Sequence, residues 1–307
     1  MTDADNSVTS DRPLKPWPAM RIGTVSTQAV CALPLEEPLG IEVNGHGVAT
    51  LMRLPGHESE LATGFCVSEG LVSGFRAIEL VQHCGQGQPE PPARVSEGEV
   101  SRNLVRVRVR PDALAMGALY EIARLIRSGC GAVGRAELKG AGLSVVTSDL
   151  SISARLLLRA KRLLRAAQRV HGQTGGVHAA AVFDSEGDLI VTREDIGRHN
   201  SVDKVIGHCL MRGVCLGDKL LVSTGRASYE MVTKAIRLGI PILATASACT
   251  SLAAELAERY GVTLIGYLRG KRMTVYTRPE RVVGRGPSVG DSTVRFESTG
   301  SRVAFVR

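Results

Sequence analysis

Aromatic residues are scarce in this chain: five Phe, five Tyr and one Trp among 307 residues. The stacking platforms on which single-strand nucleic-acid binders lay successive bases are therefore largely missing, which argues against nucleic acid as a partner. Long apolar runs are also lacking. Stretches such as 177–183 and 239–245 fall far short of the about 20 residues that cross a bilayer, so no membrane span is expected. The first twenty residues are polar and contain proline without an apolar h-region, so no secretory signal is expected there. The protein reads as cytoplasmic, with 1–35 as a flexible tail. A disulfide framework is absent too, because the seven cysteines are odd in number and irregularly spaced, and a large cytosolic chain keeps its thiols reduced. No C-x-x-C pair and no internal repeat occurs.

What is present describes a folded domain. A hydrophobic fraction of 44% over this length buries a real core, in one large domain or two closely associated ones. The net charge of +8 favours acidic partners, among them phosphate-bearing cofactors and acidic protein surfaces.

Periodicity divides the chain. Residues 39–54 read as two strands joined at Asn44-Gly45, a dipeptide suited to the positive φ of a hairpin turn. A helix over 57–71 follows, with Leu61, Phe65 and Val72 on its apolar side. The Gly/Pro/Gln/Glu-rich segment 85–98 marks a surface loop. Strict alternation over 104–110 puts Val105, Val107 and Val109 on one face and Arg106, Arg108 and Arg110 on the other, a half-buried strand with a basic outer face. From Pro111 a helical pattern runs to Arg127 and stops at Ser128-Gly129-Cys130-Gly131. A second long helix, 152–170, carries Arg155, Arg159, Arg162, Arg165 and Arg169 on one side, either a solvated face or a docking surface for an acidic partner. Beyond it, strands near 177–183, 189–192, 219–223, 240–244 and 263–268 alternate with helices over 201–212, 228–238 and 250–260. The last three strands are separated by helices, which predicts a parallel sheet covered on both faces. The division is a smaller β-containing region over 36–112, an α/β domain over 113–285 that includes the Cys130 loop, and a peripheral tail over 286–307.

Four groups could carry chemistry. Cys130 lies between two glycines with Arg127 and Arg135 nearby, where mobility and positive charge favour an accessible thiolate. Cys66, Cys209, Cys215 and Cys249 sit in helical or apolar contexts that suit small buried hydrophobes. The junctions 223–228 (STGRAS) and 245–250 (TASACT) each follow a parallel strand and open a helix, and at such ends open α/β sheets bind anions and nucleotides. Either loop alone is equally explained by helix capping. The run 193–200 (REDIGRHN) concentrates ionisable groups at a strand end. Asn200 and Asp203 fit a partial capping box, which leaves Asp195, Arg198 and His199 to be explained, and a guanidinium beside an imidazole suits phosphate or base recognition. Finally, Tyr267-Leu268-Arg269-Gly270-Lys271-Arg272 joins two strands through a glycine turn with three cations, either a solvated tip or a phosphate clamp.

Taken in order, the segments 58–70 (ESELATGFCVSEG), 174–180 (TGGVHAA), 193–204 (REDIGRHNSVDK), 223–228 and 267–279 (YLRGKRMTVYTRP) resemble the successive signatures of the FdhD family, the formate dehydrogenase accessory sulfurtransferases. The resemblance spans about 38–282. It implies a cytidine-deaminase-like α/β domain, a smaller β-containing domain and a homodimer. It also implies that sulfur is taken as a persulfide from a cysteine desulfurase and passed to the Mo-bis(molybdopterin guanine dinucleotide) cofactor of the formate dehydrogenase catalytic subunit. The family's loop motif C-G-x-C-G reads Cys130-Gly131-Ala132-Val133-Gly134 here. Cys130 thus matches the persulfide-bearing cysteine, while Val133 replaces the second thiol. The family's cofactor-binding stretch falls on Tyr267, Leu268, Arg269, Gly270, Lys271 and Arg272. Strand-end geometry adds Arg198, His199, Thr224, Gly225, Arg226 and Ser228 as lining of the same pocket.

Two rival readings differ in class. A zinc deaminase needs a His with a Glu two residues on and a C-x-x-C pair. Here His178 is followed by Ala179 and Ala180, so no zinc is expected and His178 is either a packing residue or a pocket donor. A non-catalytic chaperone that binds the molybdenum cofactor without moving sulfur is the second rival, and Val133 favours it.

Overall fold

The computed structural model describes residues 13–84, 102–114 and 142–284. Cys130, Val133, the helix expected up to Arg127 and the segment 286–307 lie outside the described residues.

A four-stranded sheet of order β4-β3-β6-β5 is built from β3 (Glu37–Val43), β4 (His46–Arg53), β5 (Ile78–His83) and β6 (Leu104–Val109). The β3–β4 hairpin turns at Asn44 and Gly45, with φ of 49° and 81°, as the dipeptide predicts. Val105, Val107 and Val109 of β6 are buried and Arg106 and Arg108 exposed, so the alternation places the valines in the core. They pack with Leu39 and Ile41 against Leu61, Phe65 and Cys66 of helix α1 (Glu58–Ser68).

The larger sheet has six strands in the order β13-β12-β11-β10-β8-β9. Its members are β8 (His178–Phe183), β9 (Leu189–Asp195), β10 (Leu220–Ser223), β11 (Ile242–Thr245), β12 (Thr263–Arg269) and β13 (Arg272–Val275). The strands β10, β11 and β12 run parallel, while β8, β9 and β13 complete the sheet in antiparallel pairs. Helices α4 (Arg198–Met211), α5 (Tyr229–Arg237) and α6 (Ser251–Arg259) bury Val202, Val232 and Ala257 in one core layer. Helix α2 (Ala154–Ala167) buries Leu157, Ala160 and Leu164 against Ala179, Ala181 and Phe183 in a second layer. Two two-residue strands, β7 (Ile152–Ser153) and β14 (Val282–Val283), pair beside α2.

Two expectations change. The segment read as one helix over 152–170 is β7, then α2, then α3 (Arg169–Thr174). Ser153 Oγ accepts the amide of Leu156 and starts α2, whereas the Glu194 carboxylate accepts the amides of Val170 and His171 at 2.9 and 2.8 Å and starts α3 separately. The arginines Arg155, Arg162, Arg165 and Arg169 of this region are exposed, and Arg159 pairs with Asp188. The second change concerns the tail: its portion from Leu14 to Pro34 is a ribbon of two nine-residue strands, β1 (Leu14–Ile22) and β2 (Ser26–Pro34). Its sequence hides this because apolar residues point to both faces, so no alternation is visible.

The two sheets are joined by α1 crossing α4 at very close range. A Cβ on Gly64 would stand 1.8 Å from the Asp203 carbonyl oxygen, and one on Gly207 would stand 1.8 Å from that of Glu60. Glycine at both positions lets the two backbones touch.

Candidate functional site at the strand ends

The carboxyl ends of β10, β11 and β12 form one edge, stitched by main-chain bonds. Ala246 N donates to Ser223 O at 3.0 Å, Ala227 N to Ala248 O at 3.1 Å, and Tyr267 N to Ser247 O at 2.8 Å. The Thr245 hydroxyl donates to Gly225 O. The three loops singled out by sequence are thereby brought together, with 223–228 at the centre.

Arg198, the first residue of α4, lies across this centre. A Cβ on Gly225 would stand 2.6 Å from Arg198 Cβ, so only glycine admits the arginine stem. Arg198 Nε is buried without a hydrogen-bond partner in the structure. A buried unpaired guanidinium nitrogen is costly, and a ligand anion or carbonyl is the natural way to satisfy it. Beside it stands His178. Burial first, then the charges of Arg198 and His171, lower its pKa, so its imidazole is neutral at pH 7. His178 Nδ1 is 3.4 Å from Thr224 Oγ1. His178 is thus a neutral group next to the crevice, a placement its position between apolar strand residues did not reveal.

Other predicted residues are divided by the structure. Thr224 is committed to β8: its amide donates to Ala179 O and its hydroxyl accepts from Ala179 N, both at 2.9 Å. Arg226 is exposed. Ser228 precedes α5 but makes no capping bond, and its hydroxyl donates instead to Glu230 at 2.5 Å. Thr250 does cap α6 through Ala253 N, so the 245–250 loop is in part ordinary capping. For His199, burial, then Lys234 and Arg198, pull the pKa down to about 4. It is therefore a half-buried imidazole that is neutral at pH 7.

The β12–β13 hairpin projects the remaining cations. Arg269, Lys271 and Arg272 are exposed around Gly270, whose φ of 62° makes the turn, and no carboxylate pairs with them among the described residues. The Arg269 guanidinium lies 5.2 Å from the Tyr267 ring centroid, a cation–π contact that stiffens the turn. Leu268 is fully buried in the core, so its side chain offers nothing to a ligand.

The REDIGRHNSVDK segment does more than the capping box assigned to it. The helix starts at Arg198 with Gly197 before it, and Asn200 is not its cap. Asn200 Nδ2 donates to Met52 O at 2.8 Å and to Asp195 Oδ1 at 2.9 Å. Asp195 also accepts from Leu54 N at 3.2 Å and pairs with Lys204 at 2.6 Å. Arg193 holds Glu60 of α1 through Nε and Nη2 at 2.6 and 2.9 Å. Most of the motif therefore fastens the four-stranded sheet and α1 to the larger sheet, and Arg198 alone is left reaching over the crevice with an unsatisfied nitrogen. No group of three or more His, Cys, Asp or Glu side chains among the described residues could hold a metal ion. No described helix is long and apolar enough to cross a membrane.

The profile of the FdhD/NarQ family matches residues 34–283. The chain belongs to the FdhD/NarQ family. Within this family, the sulfur carrier protein FdhD of Streptomyces avermitilis is 39% identical over 272 residues, covering 87% of this chain and 94% of the relative. That of Mycobacterium tuberculosis is 40% identical over 257 residues, covering 81% and 91%. The crystal structure of a formate dehydrogenase accessory protein from Desulfotalea psychrophila is similar with a TM-score of 0.70 at 25% identity, covering 89% of this chain and all of that one.

Proposed function

We propose that this FdhD/NarQ protein is a cytoplasmic sulfur carrier serving formate dehydrogenase, and that it works as a sulfurtransferase through Cys130. In this reading the Cys130 thiolate attacks the sulfane sulfur of a cysteine desulfurase persulfide. The donor's S–S bond breaks, the donor leaves as a thiolate, and Cys130 retains the sulfur as its own persulfide. The acceptor is the Mo-bis(molybdopterin guanine dinucleotide) cofactor, bound as a substrate. Its pyrophosphates suit Arg269, Lys271 and Arg272, and Arg198 suits a guanine carbonyl or phosphate oxygen. The buried, unpartnered Arg198 Nε above Gly225 is the observation that carries the acceptor side. The strand order, with β8 antiparallel beside the parallel β10, β11 and β12, supports a cytidine-deaminase-like reading of the larger domain. We read the working unit as a homodimer.

Passing a sulfane sulfur on as sulfide requires two electrons, which a second loop thiol would provide by forming a disulfide. Val133 stands where that thiol would be. An external thiol must supply the electrons, or the protein is a chaperone that binds the cofactor without moving sulfur. Non-reducing mass spectrometry after incubation with a cysteine desulfurase and cysteine separates the two. One added sulfur on the Cys130 peptide is expected, and its absence favours the chaperone.

A further inference from the structure

Helix α2 breaks the charge pattern of its neighbours. Its 14 residues hold five cations, Arg155, Arg159, Lys161, Arg162 and Arg165, and no acid. Every other described helix of eight or more residues contains at least one Asp or Glu. Arg155, Arg162 and Arg165 are exposed, as is Arg169 at the start of α3, and none of the four has an ion-pair partner among the described residues. Arg159 pairs with Asp188 at 2.8 Å.

At 3.6 residues per turn, Arg155, Arg159 and Arg162 fall within about 60° of one another, opposite Leu157, Ala160 and Leu164, which fill the core. Like charges three and four residues apart repel and weaken a helix, and Arg155 in the first turn also opposes the helix dipole. A face meant only for solvent is better served by acids and bases interspersed. A local rule broken without a gain in stability points to a task outside the folded chain.

The course of α2 shows where that task lies. Its first turn rests on the β8–β9 connection, at the end of the sheet opposite the crevice, where a Cβ on Gly187 would stand 3.2 Å from Leu156 Cδ2. Its last turn leads into α3, whose His171 Nδ1 is 2.9 Å from Val177 O, directly before His178 and the strand-end crevice. The stripe from Arg155 to Arg165 is about 15 Å long and continues through Arg169 on the crevice side.

Chemistry and packing select the occupant. Five of the six cations in α2 and α3 are arginines, whose planar forks pair in two-pronged fashion with carboxylates. A second copy of the helix would bring like charges together. The apolar face of α2 is spent in the core and has nothing to insert into a membrane, and α2 has no aromatic residue on which bases could stack. These features fit an acidic protein surface. A partner laid along the stripe reaches the crevice, which is where a client collects its cofactor in the function proposed above. We propose that α2 and Arg169 dock an acidic face of the formate dehydrogenase catalytic subunit. The identity of the partner rests on that function, whereas the surface itself does not.

Arg155→Glu combined with Arg162→Glu tests it. Binding of the full chain to the purified catalytic subunit is measured by calorimetry at rising salt. Wild-type affinity should fall as salt screens the charges, and the double variant should bind at least about tenfold more weakly at low salt, with a flatter salt dependence. The neutral pair Arg155→Gln with Arg162→Gln should fall between the two. Because both changes relieve repulsion within α2, the urea midpoint should hold or rise, and affinity for guanosine diphosphate should not change, which sets the stripe apart from the crevice. Equal client affinity in wild type and variant, or no binding of the catalytic subunit by the wild type, overturns the proposal. So does stripe-dependent binding of RNA or of anionic phospholipid vesicles in place of the subunit. Failure to persulfidate Cys130 while stripe-dependent binding persists would instead refute the sulfur chemistry and leave the docking face standing.

Discussion

Lys234 of α5 holds Asp203 of α4 through both carboxylate oxygens, at 2.8 and 3.0 Å, with both side chains fully buried. Ser68, at the end of α1, donates to the same carboxylate at 2.6 Å, and Glu69 pairs with the same ammonium. The cluster ties three helices, α1, α4 and α5, at one point. Burial pushes the Asp203 carboxyl up to about 6, while the two carboxylates outweigh burial at Lys234 and raise its pKa. Lys234→Ala strands the fully buried Asp203 carboxylate and leaves the partly exposed Glu69 unpaired, so it is expected to cost about 3–5 kcal/mol in urea unfolding. The double variant Asp203→Asn with Lys234→Met should cost less than the sum of its single changes.

His199 sets part of the acid limit of stability. Its pKa in the folded protein, about 4, lies below the ordinary 6.5, so between these values the unfolded chain binds more protons. The stability associated with a neutral His199 is present above pH 6.5 and is lost as pH falls toward 4, to the extent of about 3 kcal/mol. Asp203, raised by burial, contributes the opposite slope below about pH 6, so the wild-type profile alone mixes the two. His199→Gln isolates the first: the difference between the two proteins' unfolding free energies should change in the variant's favour from pH 7 to pH 4.5.

The helix crossing makes a steric prediction. Gly64→Ala and Gly207→Ala each place a Cβ 1.8 Å from a carbonyl oxygen of the facing helix, and each should lower stability by about 3 kcal/mol or more. Gly172 of α3 has nothing within 4 Å of a built Cβ, so Gly172→Ala should leave stability unchanged or raise it by up to about 1 kcal/mol.

On the ligand side, Arg198→Ala should weaken binding of guanosine diphosphate about tenfold to a hundredfold by calorimetry, because it removes a charge-assisted donor. Gly225→Ala should weaken it too by displacing the Arg198 stem, whose Cβ would be 2.6 Å from the new methyl. Neutralising Lys271 and Arg272 should weaken binding chiefly at low salt, since both are exposed and screened. Unchanged affinity in Arg198→Ala would remove the strand-end crevice from the site.

The strands and helices after 177 were legible because their apolar runs and turn residues repeat at strand and helix lengths, and the Gly270 turn was legible from its composition. The roles of the charged residues were not. Asp203 and Lys234 are 31 residues apart, and nothing in helical periodicity says which charged residue of a mixed face meets another helix. Asn200 resembled a cap because capping and long-range bonding use the same amide, and only the fold places Met52 within its reach. His199 read as a pocket imidazole beside Arg198, but the burial and the nearby Lys234 of α5 that hold it neutral depend on the fold. The ribbon was missed because apolar residues on both faces leave no period to read.

Cys130 persulfidation tests the account most directly. Burial pushes the thiols of Cys66, Cys209 and Cys249 up to about 12, so they stay protonated at neutral pH, and exposed Cys215 serves as an internal control. The protein is incubated with a cysteine desulfurase and cysteine, and its peptides are resolved by non-reducing mass spectrometry. The account predicts one added sulfur on the Cys130 peptide, none on Cys66, Cys209 or Cys249, and no client activation by Cys130→Ala in cells lacking the native accessory protein. Equal labelling of Cys215 and Cys130, or full formate dehydrogenase activity with Cys130→Ala, would contradict it.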